Sequence, residues 1–208
     1  MKNFIFLLYA AFVLTTTISF ADTTCVHFPG LGESVFVRPT LANQITTAHF
    51  KIHWESPTTS TYAQNTSNYA EYAYQKMCVE MGWQIPPADD NRGGDNKYDI
   101  YLVNQSYIPN SNGITQPEIL GNWTNEWSPS FVLIRNNIET DNQLKMVVAH
   151  EFNHASQLAY TCRDGSTDTW FLENTAVWVA EIAYNYAYNY YQRYFEGPDP
   201  LDYPEFGI

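Results

Sequence analysis

One five-residue run constrains this chain more than anything else in it: His150-Glu151-Phe152-Asn153-His154. Thr140-Asp141-Asn142-Gln143 upstream fits a helix-start box, and Leu144, Val147, Val148, Glu151, Ala155 and Leu158 follow at 3.6-residue spacing. On such a helix, histidines at i and i+4 stand one turn apart on one face, about 6 Å, so two imidazoles can share one tetrahedral zinc ion. Glu151 comes directly after the first of them. That position places its carboxylate beside an open coordination site rather than on the ion, where a general base is needed.

Two imidazoles alone do not make a closed site, and Glu173 is the candidate third ligand. Trp170 to Glu181 reads as a second helix, and eighteen residues, 155 to 172, separate His154 from Glu173. This HExxH-x18-E arrangement resembles the gluzincin metallopeptidases such as the aminopeptidase N-like enzymes, and is one residue shorter than the thermolysin-like spacing. Phe171-Leu172 before the glutamate and Ala176 after it also resemble the gluzincin second helix. Further segments, from Phe50-Lys51-Ile52-His53-Trp54 through Tyr98-Asp99-Ile100-Tyr101-Leu102-Val103 to Trp170-Phe171-Leu172-Glu173, resemble a family of exported bacterial metalloproteases over roughly residues 48 to 195.

The resemblance implies a definite set of roles. His150, His154 and Glu173 would bind Zn2+, and Glu151 would be the catalytic base. The fold would be α+β and zincin-like, a small mixed sheet packed on the active-site helix, with a second helix carrying the third ligand. Phe131 to Arg135 would be the sheet edge that pairs with an extended substrate. Where thermolysin-like enzymes carry an aspartate four residues after the ligand glutamate, this chain has Val177, so the acceptors that orient the histidines must come from elsewhere. Asp141, Asn142, Asp168 and Glu181 are open alternatives. All five histidines lie at or before position 154, so an oxyanion donor that some gluzincins take from a downstream histidine must here be a tyrosine, an arginine or nothing. Tyr160 and Tyr184 are candidates, with Tyr188 and Tyr191 beyond them. The Gly-x-Met-Glu-Asn motif of the aminopeptidases is absent, which favours an endopeptidase acting on a protein or peptide substrate.

Elsewhere the pattern reports architecture. His49 to Trp54 alternates with a two-residue period that sets Phe50, Ile52 and Trp54 on one face and His49, Lys51 and His53 on the other. Histidines at i and i+4 of a strand lie about 13 Å apart, too far to chelate one ion, so His49 and His53 read as surface or structural residues. Ser34 to Arg38 is expected to be extended. Ala70, Ala73, Tyr74, Met77, Cys78 and Met81 recur at helical spacing, with Gly82 as the stop. Asp89, Asp90, Asp95 and Asp99 cluster in and after a turn-rich loop. They could hold calcium, but the spacing misses the EF-hand pattern, and the segment reads as a solvated loop. Tyr98 to Val103 and Phe131 to Arg135 are expected strands, and residues 104 to 129 are expected to be irregular.

Charge and the N-terminus narrow the setting. Ten Lys and Arg against 22 Asp and Glu leave a net charge of −12, the wrong sign for a protein that neutralises phosphates, so nucleic acid and anionic membrane surfaces are disfavoured as partners and no nucleic-acid partner is expected. Lys2, the apolar stretch from Phe4 to Ile18, and Ser19-Phe20-Ala21 read as a signal peptide, residues 1–21, ahead of one zincin-like domain over 22–208. The expectation is a secreted, periplasmic or extracellular protein without stable membrane insertion. There Cys25, Cys78 and Cys162 allow one disulfide and one free thiol, in any of three pairings. The rival expectation is a catalytically weak or inactive zincin scaffold that keeps its zinc and serves binding or adhesion.

Overall fold

The computed structural model describes residues 37–118, 127–161 and 169–185. The signal-peptide segment, Cys25, Cys162, Asp168, Tyr188 and Tyr191 lie outside these residues, as does most of the strand expected over Ser34 to Arg38. Val37 and Arg38, the described end of that segment, are not in a strand.

Among the described residues the chain forms a five-stranded mixed sheet and three α-helices, an α+β arrangement. The strands are β1 (Asn43–Thr46), β2 (Phe50–Trp54), β3 (Tyr98–Val103), β4 (Gly113–Pro117) and β5 (Ser130–Arg135). Their spatial order is β1-β2-β3-β5-β4. β2, β3 and β5 run parallel, and the two edge strands β1 and β4 are antiparallel to their neighbours. Parallel neighbours need a crossover, and α1 (Ser60–Tyr74) supplies it between β2 and β3. α1 continues into a π-helical stretch, Gln75–Glu80, and Gly82 at φ +76° ends it in the left-handed conformation that glycine adopts without strain.

The two-residue period of the strands sorts side chains cleanly. Phe50, Ile52, Ile100, Leu102, Val132 and Ile134 point to one face, where they pack with Ala70 and Ala73 of α1 and with Val148, Phe152 and Ala155 of α2 (Asp141–Gln157). Val179, Ala180 and Ala183 of α3 (Thr169–Ala183) join the same core. Tyr101, Val103, Ile114, Phe131 and Leu133 point to the opposite face and form a second, smaller cluster with Ile108. Thr140 caps α2, its hydroxyl accepting from Gln143 N at 3.2 Å, as the start box predicts.

Two expectations are corrected here. β5 is not the sheet edge: it lies between β3 and β4, hydrogen-bonded on both sides. The edge on that side is β4, inside a region whose Pro109, Gly113 and Pro117 read as irregular; an edge strand tolerates a terminal proline because one row of its N–H groups needs no sheet partner. Nor is the aspartate loop simply solvated. Asp89 and Asp99 are buried, and both bind the guanidinium of Arg38, at 2.6 and 2.5 Å, together with Glu118 at 2.7 Å. His53, also buried, meets the other Asp99 oxygen at 2.6 Å and stacks on Tyr101. No helix among the described residues is long and apolar enough to cross a membrane.

Candidate metal centre

The spacing of the two histidines becomes convergence because α2 and α3 pack side by side. His150 and His154 stand on one face of α2, with ring centroids 4.6 Å apart. α3 brings Glu173 over them: His150 Nε2 lies 3.2 Å from Glu173 Oε2, His154 Nε2 lies 3.4 Å from Glu173 Oε1, and the two Nε2 atoms are 3.0 Å apart. Zinc–nitrogen and zinc–oxygen bonds of about 2.0–2.1 Å at the tetrahedral angle put neighbouring donors about 3.3 Å apart. The three observed separations bracket that value, so the donor set fits one small divalent cation. His150, His154 and Glu173 can therefore hold a metal ion, and they are the group that meets this geometry among the described residues.

Exposure grades across the triad. The His154 side chain is 6% accessible, His150 22% and Glu173 39%, so the cluster is rooted in the core and opens toward solvent on the α3 side. Burial alone would raise the pKa of Glu173, but the two imidazoles outweigh it and hold the carboxyl well below its usual range. For His154 burial works downward, and the Glu173 carboxylate prevails and raises it. Glu173 is thus ionised at neutral pH, as a ligand carboxylate must be.

Glu151 is anchored to the edge strand. β4 turns Gly113 and Thr115 toward α2, while Ile114 between them points to the far-face cluster. The Thr115 hydroxyl lies 2.8 Å from Glu151 Oε2 and 2.7 Å from the Glu151 carbonyl oxygen, and can donate to either. At Gly113 a Cβ would stand 2.6 Å from Glu151 Cγ and 2.7 Å from Oε1, so only glycine admits this approach of strand and carboxylate. Glu151 is 7% exposed, and burial raises its pKa against the opposing pull of His150, His154 and Thr115. A carboxylate with an elevated pKa is better matched to accepting and returning a proton near neutrality.

The acceptor that orients His154 is Gln157, which the sequence reading missed. Its Oε1 lies 2.7 Å from His154 Nδ1. The residue three positions on along a helix shares a face with the histidine, and that spacing was the available signal. Of the expected acceptors, Asp141 and Asn142 sit at the other end of α2, at least eight residues or about 12 Å from His150. Glu181 is wholly buried two turns further along α3 than Glu173. The tyrosine candidates are committed elsewhere: Tyr184 donates to the Tyr69 carbonyl at 2.7 Å, and Tyr160 accepts from Gln84 N at 3.1 Å. The Tyr184 hydroxyl hydrogen is thereby used within the packing, while Tyr160, which accepts, keeps its own.

A separate cavity of about 300 Å³ opens at the N-terminal ends of β2 and β3, floored by Phe50, Tyr74, Tyr98 and Phe152. It contains none of the triad. Cys78 is half-buried at the end of the helical segment after α1, its thiol pushed up to about 11 by burial, which removes it from consideration as a nucleophile. No family model, no curated protein and no solved structure matches this chain.

Proposed function

We propose that the chain is a secreted zinc-dependent endopeptidase with a gluzincin-type site on a zincin-like fold. The observation that carries this reading is the convergence of His150, His154 and Glu173 at separations suited to one tetrahedral ion, with Glu151 next to His150 in the chain, interacting with all three and outside the ligand set. Two neutral imidazoles and one carboxylate would give a bound zinc ion a net charge of +1.

An ion held by His150, His154 and Glu173 would supply the Lewis acidity that makes water a competent nucleophile at neutral pH and polarises a peptide carbonyl. The remaining work belongs to the chain. Glu151 accepts the proton that the attacking water releases, then delivers it to the amide nitrogen that leaves. Thr115 would hold that carboxylate in the space Gly113 leaves beside the edge strand, outside the ligand set. The exposed side of Glu173 leaves an approach for substrate, and the N-terminal segment fits an exported protein.

The test is proteolysis of an unfolded protein substrate by wild type and by Glu151→Gln, each with and without chelator. The expected result is loss of about 10²- to 10⁴-fold in the variant, with zinc retained, and complete loss with chelator. Full activity in Glu151→Gln contradicts the mechanism.

A further inference from the structure

Gln157 makes two hydrogen bonds that together decide the chemistry of His154. Its Nε2 lies 3.0 Å from the backbone carbonyl of Leu172, and its Oε1 lies 2.7 Å from His154 Nδ1. A backbone carbonyl can only accept, so the amide nitrogen must be the atom facing Leu172. The amide oxygen must then face the imidazole, and an oxygen there can only accept. Nδ1 of His154 therefore carries the hydrogen in the neutral ring, which leaves the lone pair on Nε2, the atom that faces His150 and Glu173.

The same side chain links the two ligand-bearing helices. Leu172 immediately precedes Glu173, so the Gln157 bond fixes the backbone of α3 at the residue next to the third ligand. Gln157 is 5% exposed, which shields both bonds from competing water.

We infer that Gln157 is a positioning residue that preorganises the metal site, selecting the metal-binding tautomer of His154 while holding α3 in register over α2. The inference rests on the triad being a metal site, and it is independent of whether the protein cleaves peptides.

The experiment is a zinc titration of metal-free protein against a competing chelator at fixed pH, for wild type, Gln157→Ala and Gln157→Glu. Loss of a partner that orients a metal-binding histidine weakens binding about 10- to 100-fold, and Gln157→Ala is expected in that range. Gln157→Glu keeps an acceptor for Nδ1–H but loses the bond to the Leu172 carbonyl, and is expected to bind zinc more tightly than Gln157→Ala and more weakly than wild type. A role in helix packing alone would not be rescued by glutamate, whose carboxylate opposes the Leu172 carbonyl. Cobalt substitution gives a second reading: intense visible bands of a tetrahedral site in wild type and Gln157→Glu, weaker and shifted bands in Gln157→Ala. Should Gln157→Ala lose its helical circular dichroism, Gln157→Met, which keeps the side-chain volume, takes its place. Zinc affinity in the alanine or methionine variant equal to wild type overturns the inference. A wild type that binds no zinc overturns the metal reading beneath it.

Discussion

The sheet carries a polar cluster on each face, and the two are built from the same kinds of side chain to opposite ends. On the far face Asp89, Asp99 and Glu118 surround Arg38, whose guanidinium lies over the rings of Phe131 and Tyr101, while His53 closes on Asp99. On the helix face His150, His154 and Glu173 point their donor atoms at one another. The first cluster supplies its own cation, so its carboxylates are satisfied within the protein. In the second, nitrogen and oxygen lone pairs converge at separations that suit a bound ion. Carboxylates near histidine become a candidate metal site when the chain itself leaves the charge at their centre to be supplied.

The largest expected effects separate the two clusters. Chelation should abolish proteolysis and lower the melting temperature. At free zinc 100 times the dissociation constant the bound ion contributes about 2.7 kcal/mol, which calorimetry with and without chelator would register. Far-face residues should leave zinc content alone. Arg38→Met strands three buried carboxylates and is expected to cost roughly 3–5 kcal/mol in urea unfolding, with zinc bound as in wild type. Unchanged stability in that variant would break the comparison by making the arginine cluster incidental.

A smaller change sharpens the boundary between binding the ion and using it. Gly113→Ala drives a methyl group into Glu151, which should cost about 1–3 kcal/mol of stability and slow proteolysis while zinc stoichiometry holds. The smallest effect concerns pH. Burial would raise the Asp99 pKa, but His53 and Arg38 hold it below the usual carboxylate range. A carboxylate held low adds stability that is complete above its unfolded value of about 4 and disappears as pH falls through the folded one. Asp89 is raised by burial and works in the opposite direction, so these two partly offset each other. Melting temperature measured from neutral pH to about pH 3 should therefore fall in wild type and fall less steeply in Asp99→Asn.

Much of this was legible in the sequence because it depends on local periodicity. The helix from residue 141, its cap, the strand Tyr98–Val103 and the convergence of His150 with His154 follow from spacing within a single element. Glu173 was reachable because the eighteen-residue interval resembles the gluzincin arrangement. What escaped notice depends on partners distant in the chain. β4 was hidden because Gly113 and Pro117 read as breakers, yet Gly113 is there to admit Glu151 and Pro117 ends an edge strand. The Asp89 and Asp99 carboxylates read as solvent-facing because Arg38, 51 and 61 residues earlier, is invisible to any local pattern. Gln157 sat within the helix already identified, and its role needed the Leu172 carbonyl to be seen.

The most direct test of the account is the zinc content per chain of wild type, Glu173→Ala and Glu151→Gln after dialysis against metal-free buffer. The account predicts a single bound zinc in wild type and in Glu151→Gln, and its loss in Glu173→Ala. A wild type that emerges free of zinc, or a Glu173→Ala variant that keeps as much as wild type, would contradict it.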